Sequence, residues 1–244
     1  MAAEGYWSGL IAGEGMYELY IGNKNYSSWS MRPWVLMRSL EIPFRERLMP
    51  FHLNQGEGAF TNFSPTGRVP LLVDGETRVW DSLSITEYLA ERHGGVWPDD
   101  AAARAWARSA AAEMHSGFGD LRNDCSMSVG VRVRLHHVTD QLLADLRRLT
   151  ELWRDGFTRH GGPFLTGRTF GAVDAFFAPV AARVQTYGLP LQREAMSYVE
   201  RLLAHPPVRE WIEAGIAEGF RDEPHEREIR SKGEVVQDLR AAVK

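Results

Sequence analysis

Three serines in the stretch NYSSWSMRPW, residues 25–34, are the first side chains in this sequence whose types and spacing could do chemistry. Pro33 lacks an N–H and fits only the first turn of a helix, so we expect Ser30 to be the N-cap. Ser27 and Ser28 would then lie just upstream, facing the free N–H groups and the positive end of the helix dipole. Two hydroxyls in that position predict an anion site, although serines before a helix also serve as ordinary turn residues.

A second loop, Arg68-Val69-Pro70, leads straight into an apolar strand. An X-Pro bond in such a setting can be cis at a cost of about 0.5 to 1 kcal/mol. A cis bond would leave the Val69 backbone N–H and C=O facing outward, where they could pair with a peptide-like ligand as a strand does. The alternative is a trans proline that only opens the strand.

The third loop belongs to the stretch WDSLSITEYL, residues 80–89. Ser84 and Glu87 have the S-x-x-E spacing of a capping box, which predicts a helix that begins there. Asp81 and Ser82 would then be free ahead of the helix. An acid beside a hydroxyl suits the ammonium and carboxylate groups of an amino acid, although either residue alone would be a common turn former.

The elements that must position these loops change character near residue 95. Before it, strands and helices alternate in the order βαβαββα, which predicts a small mixed sheet with helices packed on it. The expected elements are a strand Tyr17–Ile21, a helix to Leu40, a strand Phe44–Phe51, a hairpin PLLVDGETRVWD with Asp74-Gly75 as its turn, and a helix Ser84–Arg92.

The second half has long helical patterns and almost no strand signal, which predicts an all-helical domain. The expected helices are Ala101–Leu121, Val131–Gly156, Val173–Tyr187, Arg193–Leu203 and Val208–Ala217. The sequence thus divides into a loose extension over 1–15, a sheet domain over 16–94, a linker over 95–100, a helical domain over 101–220 and a charged tail over 221–244. We expect the tail to be a peripheral segment or disordered.

Composition narrows the class of protein. The 244 residues are 44% hydrophobic and 25% charged, which is typical of a globular chain with a sizeable core. The longest apolar run, Ala175–Ala182, is far below the roughly 20 residues that a membrane span needs. A net charge of −4 without basic blocks gives no sign of nucleic-acid binding, and the first fifteen residues lack a signal peptide's basic region. The lone Cys125 excludes an internal disulfide and fits a reducing cytoplasm.

Taken together, the three loops resemble those of the amino-terminal thioredoxin-like domain of the glutathione S-transferases. The matching motifs are SSWSMR, FSPTGRVPLL and DSLSITEYL, in the order and spacing of that family. The resemblance extends over about residues 17–230. In the helical half, FGAVDAFFAPVAAR resembles the family's capping box with Asp174 at N3, although Gly171 replaces the usual Ser or Thr.

The resemblance implies a glutathione site. Asp81 and Ser82 would hold the γ-glutamyl end, Val69 beside Pro70 would pair with the cysteinyl backbone, and the glycine carboxylate could be reached by two basic residues, His52 and Arg68. The serine pair resembles the zeta-class motif Ser-Ser-Cys-x-x-Arg, with Arg32 matching its arginine and Trp29 replacing its cysteine. This nominates Ser27 as the hydrogen-bond donor to sulfur and Ser28 as the close second.

The implied chemistry is activation of a thiol with a pKa near 8.5, which a hydroxyl donor and a helix N-terminus would lower. Other branches of the family use a tyrosine for this, so Tyr26 stays an alternative. The implied function is glutathione transfer to a small electrophile. A glutathione-dependent isomerase of the maleylacetoacetate type and a non-catalytic binding or scaffold protein remain open.

The resemblance also implies a homodimer with no metal and no nucleic acid, and it places the second substrate against residues 112–129. Met114, Phe118 and Leu121 have helical spacing and could form an apolar wall, while His115 and Arg122 could orient a carboxylate. The alternative is that the apolar set belongs to the core and that Arg122 bonds the last carbonyls of its helix.

Overall fold

The computed structural model describes residues 16–53 and 60–240. The predicted extension over 1–15, the end of the charged tail at 241–244, and the side chain of His52 lie outside the described part. Within the described residues, no helix is both long and apolar enough to cross a lipid bilayer.

The first half forms a four-stranded mixed sheet in the order β2-β1-β3-β4. β1 pairs in parallel with β2, while β3 pairs antiparallel with β1 and β4. This arrangement confirms the predicted thioredoxin-like domain; at the place of its second helix lies a short 3-10 helix, Phe51–Leu53. The other elements are β1 Tyr17–Ile21, α1 Ser28–Ser39, β2 Phe44–Leu48, β3 Leu71–Asp74, β4 Thr77–Trp80 and α2 Ser82–Ala90.

The second half is the predicted helical domain. Its central helix, α6, is buried along nearly its whole length, because most of its residues are apolar, with Asp174 and Arg183 as buried charged exceptions. The helices are α3 Ala101–Ser116, α4 Gly119–Asp124, α5 Asp140–His160, α6 Ala172–Tyr187, α7 Arg193–Ala204, α8 Pro206–Ala217 and α9 Glu223–Lys232. α6 packs against α1, so the centre of the helical domain touches the helix that follows the serine pair.

Two strands interrupt the helical pattern that the sequence predicted. Residues 131–156 are not one helix: β5, Val131–Leu135, precedes α5 and pairs antiparallel with β6, Gly233–Asp238. The alternation VRVRL is a strand signal with period two, and a purely helical interpretation of this region was therefore wrong. The pairing also orders the charged tail through residue 240, so of the two expected alternatives the structure has an ordered segment and not a disordered tail over 221–240.

The predicted helix Ala101–Leu121 breaks at Gly117 and Phe118. The Gly117 N–H bonds Glu113 O at 2.7 Å, and Phe118 has a left-handed backbone with φ 54°. A left-handed residue cannot continue a right-handed helix. Met114 and Leu121 therefore lie on two different helices, α3 and α4, with Phe118 at the break between them.

Two predicted helix caps are also wrong. α1 begins at Ser28 with Ser27 at the N-cap, and Pro33 lies inside the helix. In the other helix, Asp81 is the cap: its side chain accepts from Leu83 N at 2.8 Å, which leaves Ser84 within α2. The predicted role of Asp174 is confirmed, since its carboxylate accepts from Gly171 N at 3.1 Å.

Candidate functional site

Two of the predicted loops and Trp29 of the serine stretch meet at one cleft of about 350 Å³ between the sheet domain and α3, and neither Ser27 nor Ser28 is among its described lining residues. Six of its lining residues were predicted site residues, so the structure brings together side chains up to 47 positions apart. The cleft is lined by Trp29, Thr66, Arg68, Val69, Pro70, Trp80, Asp81, Ser82 and His115.

The Val69-Pro70 peptide bond is cis, which is the first of the two alternatives that the sequence left open. β3 begins directly after it, at Leu71. Among the described residues, neither the N–H nor the C=O of Val69 has a backbone hydrogen-bond partner. The cleft therefore offers one unpaired peptide edge next to a strand.

Asp81 and Ser82 form the opposite wall. Asp81 has φ 75°, a backbone conformation that is uncommon outside glycine, and its second oxygen lies 3.4 Å from His115 Nε2. Ser82 is 1% exposed, and its hydroxyl accepts a hydrogen bond from Arg32 Nη1 at 3.3 Å. An acid and a hydroxyl thus stand side by side at the N-terminus of α2.

Arg32 lies beneath this wall. Its guanidinium is 4.1 Å from the ring centre of Trp29 and 4.8 Å from that of Phe176, and the residue is 2% exposed. Its Nε has no hydrogen-bond partner among the described residues. Burial, with repulsion from Arg183 and Arg122, lowers the pKa of Arg32 to about 9. A buried cation with an unused donor gives this end of the cleft a positive potential.

His115, at the end of α3, joins Arg32 to Asp81. Its Nδ1 is 3.5 Å from Arg32 Nη1 and its Nε2 is 3.4 Å from Asp81. Burial lowers the pKa of His115, and Arg32 and Arg122 lower it further against the opposing effect of Asp81. The neutral ring satisfies both contacts in one tautomer, with Nε2–H facing Asp81 and Nδ1 accepting from Arg32.

The serine pair lies at the start of α1, beside the residues that line the cleft. Ser27 is 5% exposed and donates to Ser30 Oγ at 2.7 Å. Ser28 is 7% exposed and accepts from Arg183 Nη2 at 3.3 Å. The two hydroxyls therefore differ within the described residues, because Ser27 donates its proton to Ser30 while Ser28 receives one hydrogen bond and donates none.

The Tyr26 hydroxyl points into the protein. It donates to Glu226 at 2.5 Å and accepts from Arg240 at 3.1 Å. Burial and the Glu226 carboxylate raise the pKa of Tyr26 to about 12. A hydroxyl with these partners is poorly placed to serve a ligand, which disfavours the tyrosine alternative.

Of the five residues predicted for a second substrate, only His115 lines the cleft. Met114, Phe118 and Leu121 are 2%, 6% and 0% exposed, as the core alternative expects. Arg122 is half-buried and donates from Nη1 to Met114 O at 3.2 Å, so it bonds a carbonyl in the last turn of α3. These four positions support packing and helix termination more directly than ligand contact.

The described residues give little support for a reactive cysteine or a metal site. Cys125 is fully buried, and burial raises the pKa of its thiol to about 12. Residues 16–53 and 60–240 contain no group of three or more His, Cys, Asp or Glu side chains that could hold a metal ion.

Sequence reasoning missed Arg183 altogether. It lies in the otherwise apolar run FFAPVAAR, residues 176–183, and a charged residue at the end of such a run was the available signal. Thr66 and Trp80 were also missed as cleft residues, and nothing in their local sequence distinguishes them.

Known proteins share this architecture along most of the chain. A family model described as the glutathione S-transferase N-terminal domain matches residues 26–92, and the corresponding C-terminal domain model matches residues 99–214. Glutathione S-transferase 1 of Dianthus caryophyllus is 25% identical over 185 residues, which cover 71% of this chain and 80% of that protein.

Two further similarities are narrower or structural. The dichloromethane dehalogenase of Methylorubrum extorquens is 34% identical over 62 residues, which span 25% of this chain and only 22% of that relative. The crystal structure of a glutathione transferase homolog from Burkholderia GL BGR1, with bound glutathione, superposes with a TM-score of 0.60. It is 22% identical, and the match covers 82% of this chain and 98% of that chain.

Proposed function

Because the chain belongs to the glutathione S-transferase family, we propose that it binds glutathione in the described cleft and presents the thiolate to a small electrophile. The observation that carries the proposal is the convergence of the cis Val69-Pro70 edge, Asp81 and Ser82 on one cleft next to the serine pair. Each of these features matches a different part of a γ-glutamyl tripeptide.

The amino-acid end of glutathione carries one ammonium and one carboxylate. Asp81 provides an anion for the ammonium group, while the Ser82 hydroxyl and the N-terminus of α2 suit the carboxylate. The buried charge of Arg32, 3.3 Å from Ser82 Oγ, strengthens that side for an anion. Val69 would pair with the cysteinyl backbone, Pro70 fixes that edge, and Arg68 lies on the cleft near the glycine end.

The sulfur would lie at the start of α1, where a hydroxyl of the pair Ser27–Ser28 donates to it. A hydroxyl donor and the positive end of the α1 dipole both favour the thiolate over the thiol. The protein then contributes binding, ionisation and orientation, and needs no covalent bond to the ligand. The resemblance of SSWSMR to the zeta motif keeps glutathione-dependent isomerisation of the maleylacetoacetate type as a second candidate.

The proposed compartment is the cytoplasm, whose glutathione pool is kept reduced. The absence of a Cys at the start of α1 agrees with this proposal of thiolate activation rather than disulfide exchange.

The test is retention on immobilised glutathione followed by conjugation and isomerisation assays. We expect the wild-type chain to be retained, and Asp81→Asn and Ser82→Ala each to weaken retention about tenfold or more, since each removes a charge or hydroxyl from the amino-acid end. Ser84→Ala is the matched control, because Ser84 is an exposed serine in the same helix. A wild-type chain that is not retained contradicts the proposal, and retention without turnover would favour the non-catalytic protein.

A further inference from the structure

Arg183 is a buried cation on α6 whose hydrogen bonds to the described residues all go to uncharged acceptors. The residue is 6% exposed. Its Nε donates to Cys125 O at 2.7 Å and its Nη1 donates to Pro179 O at 3.3 Å, with Met127 Sδ at 3.8 Å. Its Nη2 donates to Ser28 Oγ at 3.3 Å. Three of these contacts hold the guanidinium in place, and the fourth aims it at the serine pair.

The electrostatic surroundings leave the charge of Arg183 largely uncompensated. Arg32 and Arg122 are the other cations nearby, and both repel a positive charge. Glu228 is the acid that acts on Arg183, and its residue is exposed. Cys125 and Tyr187 stay neutral, because burial raises the pKa of each well above its ordinary value.

Burial lowers the pKa of Arg183 only to about 10, so the guanidinium is still protonated at neutral pH. Keeping an ion away from water without an opposite charge is costly, and the cost is offset when an anion binds nearby. Three arginines with depressed pKa values, Arg32, Arg122 and Arg183, lie close enough to affect one another. This part of the domain interface therefore favours a negative charge beside Ser28.

We propose that Arg183 is a positioning residue for thiolate formation: it donates to Ser28 Oγ, and thereby directs the Ser28 hydroxyl proton to the glutathione sulfur. A hydroxyl that accepts from a guanidinium is polarised and becomes a stronger donor. Ser27 is less suited, since it donates its proton to Ser30. The thiol proton leaves to water, and no bond to the protein forms. This inference rests on the proposed function.

The experiment follows the ultraviolet absorbance of the thiolate of bound glutathione against pH, and measures glutathione affinity separately. In the wild type we expect the thiol to ionise well below its free pKa near 8.5. Ser28→Ala and Arg183→Met should each raise the pH of half-ionisation by about one unit, which is a tenfold fall in the ratio of thiolate to thiol at a given pH. The double variant should lose no more than either single variant, because both act through one hydrogen bond.

Arg132→Met is the matched control. Arg132 is a half-buried arginine that, among residues 16–53 and 60–240, donates only to the carbonyls of Val129 and Val131, and its removal should leave the titration unchanged. Arg183→Lys keeps a charge but loses the planar guanidinium. Its pH of half-ionisation should therefore lie between those of the wild type and Arg183→Met. If Arg183→Met does not fold, Arg183→Lys and Ser28→Ala decide the question.

The outcomes separate the two proposals. A wild-type protein that binds no glutathione, or binds it only as the thiol, overturns the proposed function. A wild-type thiolate that titrates unchanged in folded Arg183→Met, or in Arg183→Lys and Ser28→Ala, overturns this inference alone. A shift produced by Ser27→Ala but not by Ser28→Ala would do the same.

Discussion

Ser30, although not a helix cap, holds the first turn of α1 against the end of β1. Its side chain is fully buried and accepts from the Gly22 N–H at 3.2 Å and from the Ser27 hydroxyl at 2.7 Å. Ser30→Ala would leave the Gly22 N–H buried without a partner, so we expect a loss of about 1 to 3 kcal/mol in the free energy of unfolding. Urea unfolding measures this. Ser84→Ala should change stability by less than about 0.5 kcal/mol, and an equally small loss for Ser30→Ala would contradict the prediction.

A Tyr26 variant tests whether a serine or a tyrosine hydroxyl promotes ionisation of the glutathione thiol. Tyr26→Phe removes a buried hydroxyl with charged partners, Glu226 and Arg240, so we expect a loss of about 1.5 to 3 kcal/mol in unfolding free energy. The thiol pKa of bound glutathione should stay unchanged. Tyr20→Phe is the control, since that hydroxyl meets only Glu18 at 3.3 Å. A folded Tyr26→Phe variant that binds glutathione without ionising it would show that the serine assignment is wrong.

Cys125 should take no part in turnover. Its side chain is fully buried and the pKa of its thiol is raised to about 12 by burial, so little thiolate forms at neutral pH. We expect the native protein to react with a thiol reagent only after unfolding, and Cys125→Ser to keep wild-type conjugation. Dehydroascorbate reduction or deglutathionylation that disappears in Cys125→Ser would contradict this.

At the scale of elements, α9 and β6 form a clamp on the loop that carries the serine pair. Arg240 follows β6 and bonds Glu226 of α9, Asp238 of β6 and the Tyr26 hydroxyl. Burial alone would raise the pKa of Glu226 and of Asp238, but hydrogen bonds from Arg240 bring both below their ordinary values. The C-terminal segment thus contributes to the position of Tyr26, one residue before Ser27.

The depressed pKa values give the clamp a defined pH dependence. A carboxyl whose folded pKa is lowered stabilises the fold above its unfolded pKa, and that contribution is lost as the pH falls through the folded value. When the pH drops below about 4, we expect the amide protection of residues 223–238 to decrease, and to do so before that of α6. Hydrogen exchange measures it.

Arg240→Gln should produce the same loss of protection at neutral pH, because it leaves Glu226 buried without its main cation. Arg134→Gln is the control, since the Arg134–Glu234 pair between β5 and β6 is exposed. Protection that is independent of pH, or is unaffected by Arg240→Gln, would argue against the clamp.

At the scale of the whole molecule, the helical half fixes the loop of the sheet domain that precedes α1. Glu218 accepts from the backbone N–H of Lys24 at 2.6 Å and of Asn25 at 3.2 Å. Trp211 Nε1 donates to Lys24 O at 2.9 Å. The candidate site is therefore a product of both halves, since neither the sheet nor the helices alone would hold Ser27 and Ser28 in place.

The association state is the prediction that belongs to this scale. We propose a homodimer, and β4 offers a contact surface: it is an edge strand, and Trp80 at its end is 45% exposed. Light scattering at micromolar concentration should give twice the 27.5 kDa chain mass, and Trp80→Glu should shift it toward the monomer. Val236→Glu on β6 is the control, and a wild-type monomer would contradict the proposal.

Much of the site could be predicted from sequence because its chemistry lies in short local motifs. Val69-Pro70 and Asp81-Ser82 are each adjacent in the chain, and the alternation of strands and helices fixes the edge of the sheet at which such loops lie. The helical pattern likewise predicted α6, while Asp174 at N3 came from the resemblance to the family's capping box. These features depend on backbone preferences and on spacing over a few residues, which the sequence determines by itself.

Tertiary structure alone decided the features that depend on distant partners. Arg183 bonds Ser28, which is 155 positions away in the sequence, and Glu226 bonds Tyr26, which is 200 positions away. No local sequence pattern predicts either contact. The pairing of β5 with β6 also joins residues that are distant in the sequence. It places the predicted tail against the loop that carries the serine pair. Which serine keeps a free proton is likewise a consequence of packing: burial leaves each polar group only the partners that the fold brings within hydrogen-bond distance.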